Sequence, residues 1–253
     1  MLKVVVIGSG NVAQHVIIAF KKAVGMELVQ VFARDKNSLS HLLYTDVITS
    51  DYSQLITADL YIIAVSDYAI VDVSSRLQLA DKLVVHTSGS VAMEALNDKN
   101  RKGVFYPLQT FSKNKDIDFN KVPICLEAQN TTDLELLKKV ARTISENVYE
   151  IDSNQRKSLH VAAVFVSNFV NYMYQIGSEI CTQNEVPFEI LKPLIIETAN
   201  KVMTLSPTEA QTGPAKRDDT QTINSHLNFL SDENQKEIYK LLTKSIIDNG
   251  KKL

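Results

Sequence analysis

Apolar residues run along this chain in two rhythms. Up to about residue 152, short unbroken apolar runs alternate with amphipathic stretches; beyond it, only longer helical patterns remain. Residues 4–7, VVVI, form a β-branched run of the kind expected in a strand buried on both faces. Gly8-Ser9-Gly10 stops the run, and residues 12–20 then take helical spacing with Val16, Ile17 and Phe20 on one side. Further strands are predicted at 27–33, 47–48, 60–65, 82–86, from 103 onward, at 123–127 and at 148–151. Between them lie a turn or helix at 52–56, a helix from about 68 and a polar loop at 113–119. A helix over 132–147 has Thr131 or Thr132 as its cap and Leu134, Leu137, Val140, Ala141 and Ile144 on its apolar face.

After residue 152 the strand patterns cease. Helices are expected at 158–181, at 188–205 with Pro193 in its first turn, at 208–212, at 220–230 and at 233–249. Alternation followed by an all-helical stretch indicates two domains. The expected architecture is α/β: a doubly wound Rossmann-type sheet over 1–152, followed by a smaller all-α domain over 153–253. No internal repeat or flexible linker separates them.

Composition narrows the class. A chain of 253 residues with net charge −2 has no general attraction for nucleic acid or an anionic membrane. Cys125 and Cys181 stand far apart with no metal-type spacing, as in reduced thiols of a cytoplasmic protein. The first strand begins too early to leave room for a signal peptide. The most apolar region, 161–180, is interrupted by Ser167, Asn168, Asn171 and Ser178 and is too polar for a membrane span.

The glycine turn carries the clearest chemistry. Gly8, Gly10 and Ala13 form a Gly-x-Gly-x-x-Ala pattern between a strand and a helix, the context that gives the pattern meaning. Gly8 permits the tight turn, Gly10 lets a pyrophosphate approach the backbone, and Ala13 lets helix and strand pack closely. The N–H groups around Ser9, Asn11 and Val12 then meet the phosphates at the positive end of the helix. An acidic residue usually closes the second strand to hold the ribose of NAD. Here Phe32-Ala33 is followed by Arg34, which suits the 2′-phosphate of NADP, while Asp35 leaves NAD as a lesser alternative. Val65 and Ser66, at the end of another strand, are further cofactor contacts, with helix capping as the rival role for Ser66.

Two places offer substrate chemistry. His86, Thr87 and Ser88 close a strand and would donate hydrogen bonds to a carbonyl or carboxylate; a core histidine and a serine cap are the plainer readings. On the helix at 158–181, His160, Ser167, Asn171, Tyr174 and Ser178 fall within one stripe at 100° per residue, with Asn168 at its edge. No charge occurs between Lys157 and Glu179, so the stripe suits a polar cleft or a polar helix interface better than a solvated face. His160 is the natural proton donor. Arg217, in the turn TGPAKRDD at 212–219, would meet a substrate anion, unless Asp218 or Asp219 simply caps the next helix.

Taken together, GSGNVAQH at 8–15, AVSD at 64–67, HTSGS at 86–90, YPLQTF at 106–111, HVAAVFVSNFVN at 160–171 and TGPAKRDD at 212–219 carry a resemblance. Over nearly its whole length the chain resembles a family of inferred NADP oxidoreductases, each a Rossmann-like domain followed by a helical domain of unknown function. It is more distantly similar to pyrroline-5-carboxylate reductases, deazaflavin-linked NADP oxidoreductases and hydroxyacid dehydrogenases related to 6-phosphogluconate dehydrogenase. The resemblance implies an NADP site, a helical domain that forms a homodimer, and a cleft between the domains. It supplies no substrate. The hydroxyacid dehydrogenases carry a catalytic lysine on the long interdomain helix; this chain has His160, Ser167, Asn168 and Asn171 there and no lysine. The expected activity is NADPH-dependent reduction of a small carbonyl or imine. His160, Asn168 and Ser88 are its catalytic candidates, and His86, Ser167, Asn171 and Arg217 would bind substrate. The rival reading is a non-catalytic NADP-binding sensor or assembly module.

Overall fold

The computed structural model describes residues 1–113 and 115–250. Asn114, in the loop expected at 113–119, and the last three positions of the expected helical domain lie outside the described residues. The chain divides into two compact units, Met1–Ser167 and Asn168–Leu253.

The first unit is built on one eight-stranded sheet. Its strands are β1 (Leu2–Ile7), β2 (Met26–Phe32), β3 (Ile48–Thr49), β4 (Leu60–Ile63), β5 (Leu83–His86), β6 (Arg101–Pro107), β7 (Ile124–Ala128) and β8 (Val148–Glu150). They lie in the order β3-β2-β1-β4-β5-β6-β7-β8. All neighbours from β3 to β6 are parallel; β7 runs antiparallel to β6, and β8 parallel to β7. Apolar runs locate strands without giving their direction, so the reversal at β7 is a feature the sequence pattern did not show.

Strand order reverses beside β1, the place where doubly wound sheets open a ligand crevice. Ile7 pairs with Ile63, Ile63 with His86 and His86 with Val104, so the carboxyl ends of β1, β4, β5 and β6 share one edge. Residues alternate between the two faces. Val4, Val6, Leu60, Ile62, Leu83 and Val85 pack in one cluster, with residues of α1 (Asn11–Lys22) and α3 (Thr131–Ala141). Val5, Ile7, Tyr61, Ile63 and Val84 form the opposite cluster, with residues of α2 (Ile70–Arg76). Helix α3 ends at Ala141, and its cap is Asn130, whose side chain accepts the Asp133 N–H at 2.9 Å. The correction from Thr131 or Thr132 reflects the stronger capping tendency of Asn.

The helix expected at 158–181 is three pieces. Helix α4 (Ser153–Ala163) opens with a capping box from Asp152 and Gln155. It passes into a π-helical segment, Val164–Phe169, and then into α5 (Val170–Gln183). The unit boundary falls inside the π-helical segment. Arg156 of α4 is buried and belongs to the first unit.

The second unit continues with α6 (Lys192–Lys201), α7 (Pro207–Ala210), α8 (Thr220–Phe229) and α9 (Glu233–Gly250). Pro193 sits in the first turn of α6, where its missing N–H costs nothing. Among the described residues of this unit only Ala215 and Gln235 are buried.

Candidate active site

The end of β1 makes a glycine-dependent corner. Gly8 has φ +139°, and a Cβ there would stand 2.1 Å from the Ala64 carbonyl oxygen. Its N–H donates to Phe32 O at 2.9 Å, and the Ala64 N–H to Ile7 O at 2.8 Å, locking β1, β2 and β4 at their carboxyl ends. Gly10 differs: a Cβ there would meet nothing within 4 Å. It begins α1 without a side-chain cap, and no acid lies in the first turn, so the leading N–H groups face open space.

That space is a cleft of about 870 Å³ in the first unit. Gly8, Ser9, Gly10, Asn11, Val12, Arg34, Val65 and Ser66, the residues expected to hold the cofactor, all line it. Ser66 starts a short 3-10 turn without making a side-chain cap bond. Arg34 is exposed and has no carboxylate partner among the described residues. The Asp35 carboxylate instead accepts the Asn37 N–H at 2.9 Å, capping the turn Lys36–Leu39. A pyrophosphate fits the uncapped helix start, and a 2′-phosphate fits the unpaired guanidinium.

Several lining residues escaped the sequence reading. Tyr52 stacks on Phe32 with ring centroids 4.0 Å apart and planes within 13°, and both rings border the cleft. The segment holding Gln109, Phe111 and Lys113 borders it too. Asn11 Nδ2 ties this segment down by donating to Phe111 O at 3.1 Å, and His15 Nε2 lies 3.0 Å from Ser112 O. These contacts join residues about a hundred positions apart, which no local pattern displays.

Farther along the same sheet edge, the turn after β5 is held from beneath. His86 is completely buried, and its Nδ1 accepts the Ser88 N–H at 3.1 Å. Among the described residues Nε2 finds no partner of hydrogen-bond geometry, although a backbone group of Ala92 acts weakly to favour protonation. Desolvation, reinforced by the Arg156 charge, lowers the His86 pKa to about 4. His86 therefore supports the turn as a neutral ring and reaches no surface where a substrate would lie. Ser88 Oγ accepts the N–H groups of Ser90 and Val91, each at 3.0 Å, and so closes the turn; the helical piece that follows, the 3-10 turn Met93–Ala95, has Ala92 at its cap position and no side-chain cap bond. Arg156, buried in α4, pairs with Glu127 of β7 and donates to Val91 O at 2.6 Å.

That anchor fixes α4 one turn before His160. His160 Nδ1 lies 3.0 Å from Tyr106 Oη at the end of β6. Gly89 makes the meeting possible: a Cβ there would stand 2.6 Å from His160 Nδ1 and 2.8 Å from Tyr106 Cζ. Tyr106 is buried, and burial is the main cause that pushes its pKa up to about 12; nearby Cys125 and Asp67 add to the shift. Tyr106 and Gly89 were both inside motifs noted in the sequence, but neither signalled a partner.

The remaining candidates divide between the two units. Ser167, half-buried, closes the first unit within the π-helical segment, while Asn168 and Asn171 are exposed residues of the second unit. A stripe drawn at 100° per residue does not hold its phase through wider π turns. Arg217 is exposed, 4.0 Å from Asp219, which caps α8 by accepting the Thr222 N–H at 3.0 Å. Among the described residues no group of His, Cys, Asp and Glu could hold a metal ion, and no helix is long and apolar enough to cross a membrane.

Comparison with known proteins gives this geometry a context. The family described as NADP oxidoreductase coenzyme F420-dependent matches residues 3–89, and a domain of unknown function (DUF2520) matches 122–246. A Bacteroides fragilis protein, whose own assignment as an NADP oxidoreductase is inferred, is 40% identical over 98% of both chains, with TM-score 0.88. The chain belongs to this NADP oxidoreductase family. At the level of fold the oxidoreductase is also similar to 1-pyrroline-5-carboxylate reductase from Streptococcus pyogenes (14% identity, 100% and 99% of the two chains, TM-score 0.66). An imine reductase from Myxococcus stipitatus, solved with NADP+, aligns at 14% identity over 99% and 93% of the chains, with TM-score 0.63. No curated protein matches the chain.

Proposed function

We propose that this oxidoreductase uses NADPH to reduce a small carbonyl or imine at the carboxyl edge of its sheet. The observation that carries the reading is the single cleft that gathers the glycine turn, Arg34 and the end of β4. Gly8, Ser9, Gly10, Asn11 and Val12 would hold the pyrophosphate, Arg34 the 2′-phosphate, and Val65 and Ser66 the inner part of the cofactor. Bound NADPH supplies the hydride. The ends of β4, β5 and β6 succeed one another along the edge at about 4.8 Å per strand, which places Gly89 and Tyr106 beyond Ser66. His160 is the residue that holds or moves a proton there, through an imidazole Nε2 without a partner among the described residues. An imine or carbonyl needs orientation and one proton at this point, which suits a histidine where related dehydrogenases have a lysine.

The reading includes a homodimer. The second unit exposes Ile190, Leu194, Ile196, Met203, Phe229 and Leu241, each at least 60% accessible. A helical unit with this apolar surface needs a cover, and a second copy of the same chain provides one by symmetry.

The test is turnover of NADPH across a panel of cyclic imines and small aldehydes or ketones, for wild type and His160→Ala. Loss of His160 is expected to lower turnover by about 10²–10⁴ while nucleotide binding persists. Equal turnover in the folded variant would remove His160 from the chemistry. Nucleotide binding with no hydride transfer to any member of the panel would favour the non-catalytic module.

A further inference from the structure

We propose that Tyr106 is the positioning residue of His160, holding its neutral ring in the tautomer that carries hydrogen on Nε2. This rests on the proposed role of His160 and deepens it. Tyr106 is buried, and its hydroxyl has one partner among the described residues, His160 Nδ1 at 3.0 Å. If Nδ1 carried the hydrogen and donated, the phenolic O–H of this buried residue would have no acceptor among the described residues. A lost hydrogen bond of that kind costs about 1–3 kcal/mol. When the phenol donates, both groups are satisfied, and the ring hydrogen must sit on Nε2.

Two contacts fix the ring in this pose. The Gly89 backbone occupies the side next to Nδ1 and Cγ, at a separation that leaves no room for a Cβ. The Tyr106 ring meets the imidazole edge-on, with centroids 6.1 Å apart and planes at 70°. Both contacts grip the Nδ1 side and leave the Nε2 side ungripped.

A hydroxyl is also the partner that tolerates a change of charge. It donates to Nδ1 of the neutral ring and, after rotation, accepts from Nδ1–H of the imidazolium. A carboxylate in its place would favour the cation, and a backbone carbonyl would demand Nδ1–H in both states. Tyr106 therefore keeps a hydrogen on Nε2 in both charge states, so that Nε2–H is held as a donor to a substrate nitrogen or oxygen while the ring stays in place.

The experiment is NMR of the full-length protein labelled with ¹⁵N-histidine, comparing wild type with Tyr106→Phe and using His160→Gln to assign the signals. In alkaline buffer, wild-type His160 should show unprotonated Nδ1 and protonated Nε2. In Tyr106→Phe the two nitrogen shifts should move toward those of a free tautomer mixture. With a substrate from the panel, kcat should fall about 10–100-fold with KM nearly unchanged. NADPH affinity within twofold of wild type would show that the variant is folded. Protonated Nδ1 in the wild type, or unchanged shifts and unchanged kcat in Tyr106→Phe, would overturn the inference. Failure of the underlying reading looks different: full turnover in His160→Ala with the wild-type tautomer still held by Tyr106.

Discussion

In the first unit every residue of β4 and β5 is buried, and even the charged Arg156 lies inside with a carboxylate partner. In the second unit two residues are buried among those described, and Met203 is 77% accessible. The contrast teaches where the chemistry belongs. The cleft that holds the glycine turn and the Arg34 cation is lined by residues of the first unit alone. The helical unit has polar and apolar residues in plenty, but its burial is unfinished within one chain. The proposed homodimer would cover it.

That comparison can be broken at several points. The strongest is the corner at Gly8. An alanine there meets a backbone carbonyl at 2.1 Å in a conformation that L residues avoid. Gly8→Ala should destabilise the first unit by on the order of 4 kcal/mol, measured by urea unfolding, and should abolish nucleotide binding. Near-native stability would mean that the corner is not as tight as described.

Next in size is the pH response of His86. An unfolded histidine titrates near 6.5, whereas the buried ring titrates at about 4. Between these values the unfolded chain takes up a proton that the folded chain refuses. The associated stability is complete above pH 6.5 and falls as pH drops toward 4, by on the order of 3 kcal/mol in full. His86→Asn, which keeps an acceptor for the Ser88 N–H, should flatten this decline in unfolding experiments at pH 7.5 and 4.5. An unaltered slope would assign the acid sensitivity elsewhere.

For the helical unit the expectation has the opposite character. On a lone chain, serine at Ile190 and Leu194 would cost little, since these side chains are 65% and 61% accessible. If a second copy covers them, each contributes roughly 1.5–3 kcal/mol to association. The double variant should then sediment as a monomer at concentrations where the wild type is a dimer, with NADPH affinity retained. A monomeric wild type would leave the apolar face unexplained.

The sequence carried the local constraints and missed the distant ones. The strand–glycine–helix pattern at Gly8–Gly10–Ala13 is legible because turn, strand and helix are neighbours in the chain. Arg34 followed from its place after β2. Tyr52 was not legible as a cleft residue, nor was the meeting of Tyr106, Gly89 and His160, because strand order and register, not spacing, bring these residues together. The stripe from His160 to Ser178 assumed one uniform helix, and the π-helical segment at Val164–Phe169 breaks that assumption. Ser88 and His86 sit where expected, but their polar atoms hold the turn together.

The central claim is that the first unit binds NADPH with its 2′-phosphate on Arg34. Its most direct test is a fluorescence titration of the protein with NADPH and with NADH, repeated on Arg34→Ala. NADPH should bind more tightly than NADH, and Arg34→Ala should weaken NADPH about 10–100-fold, the worth of a charge-assisted contact, while leaving NADH unchanged. Equal affinity for the two nucleotides in the wild type, or no binding of either, would contradict it.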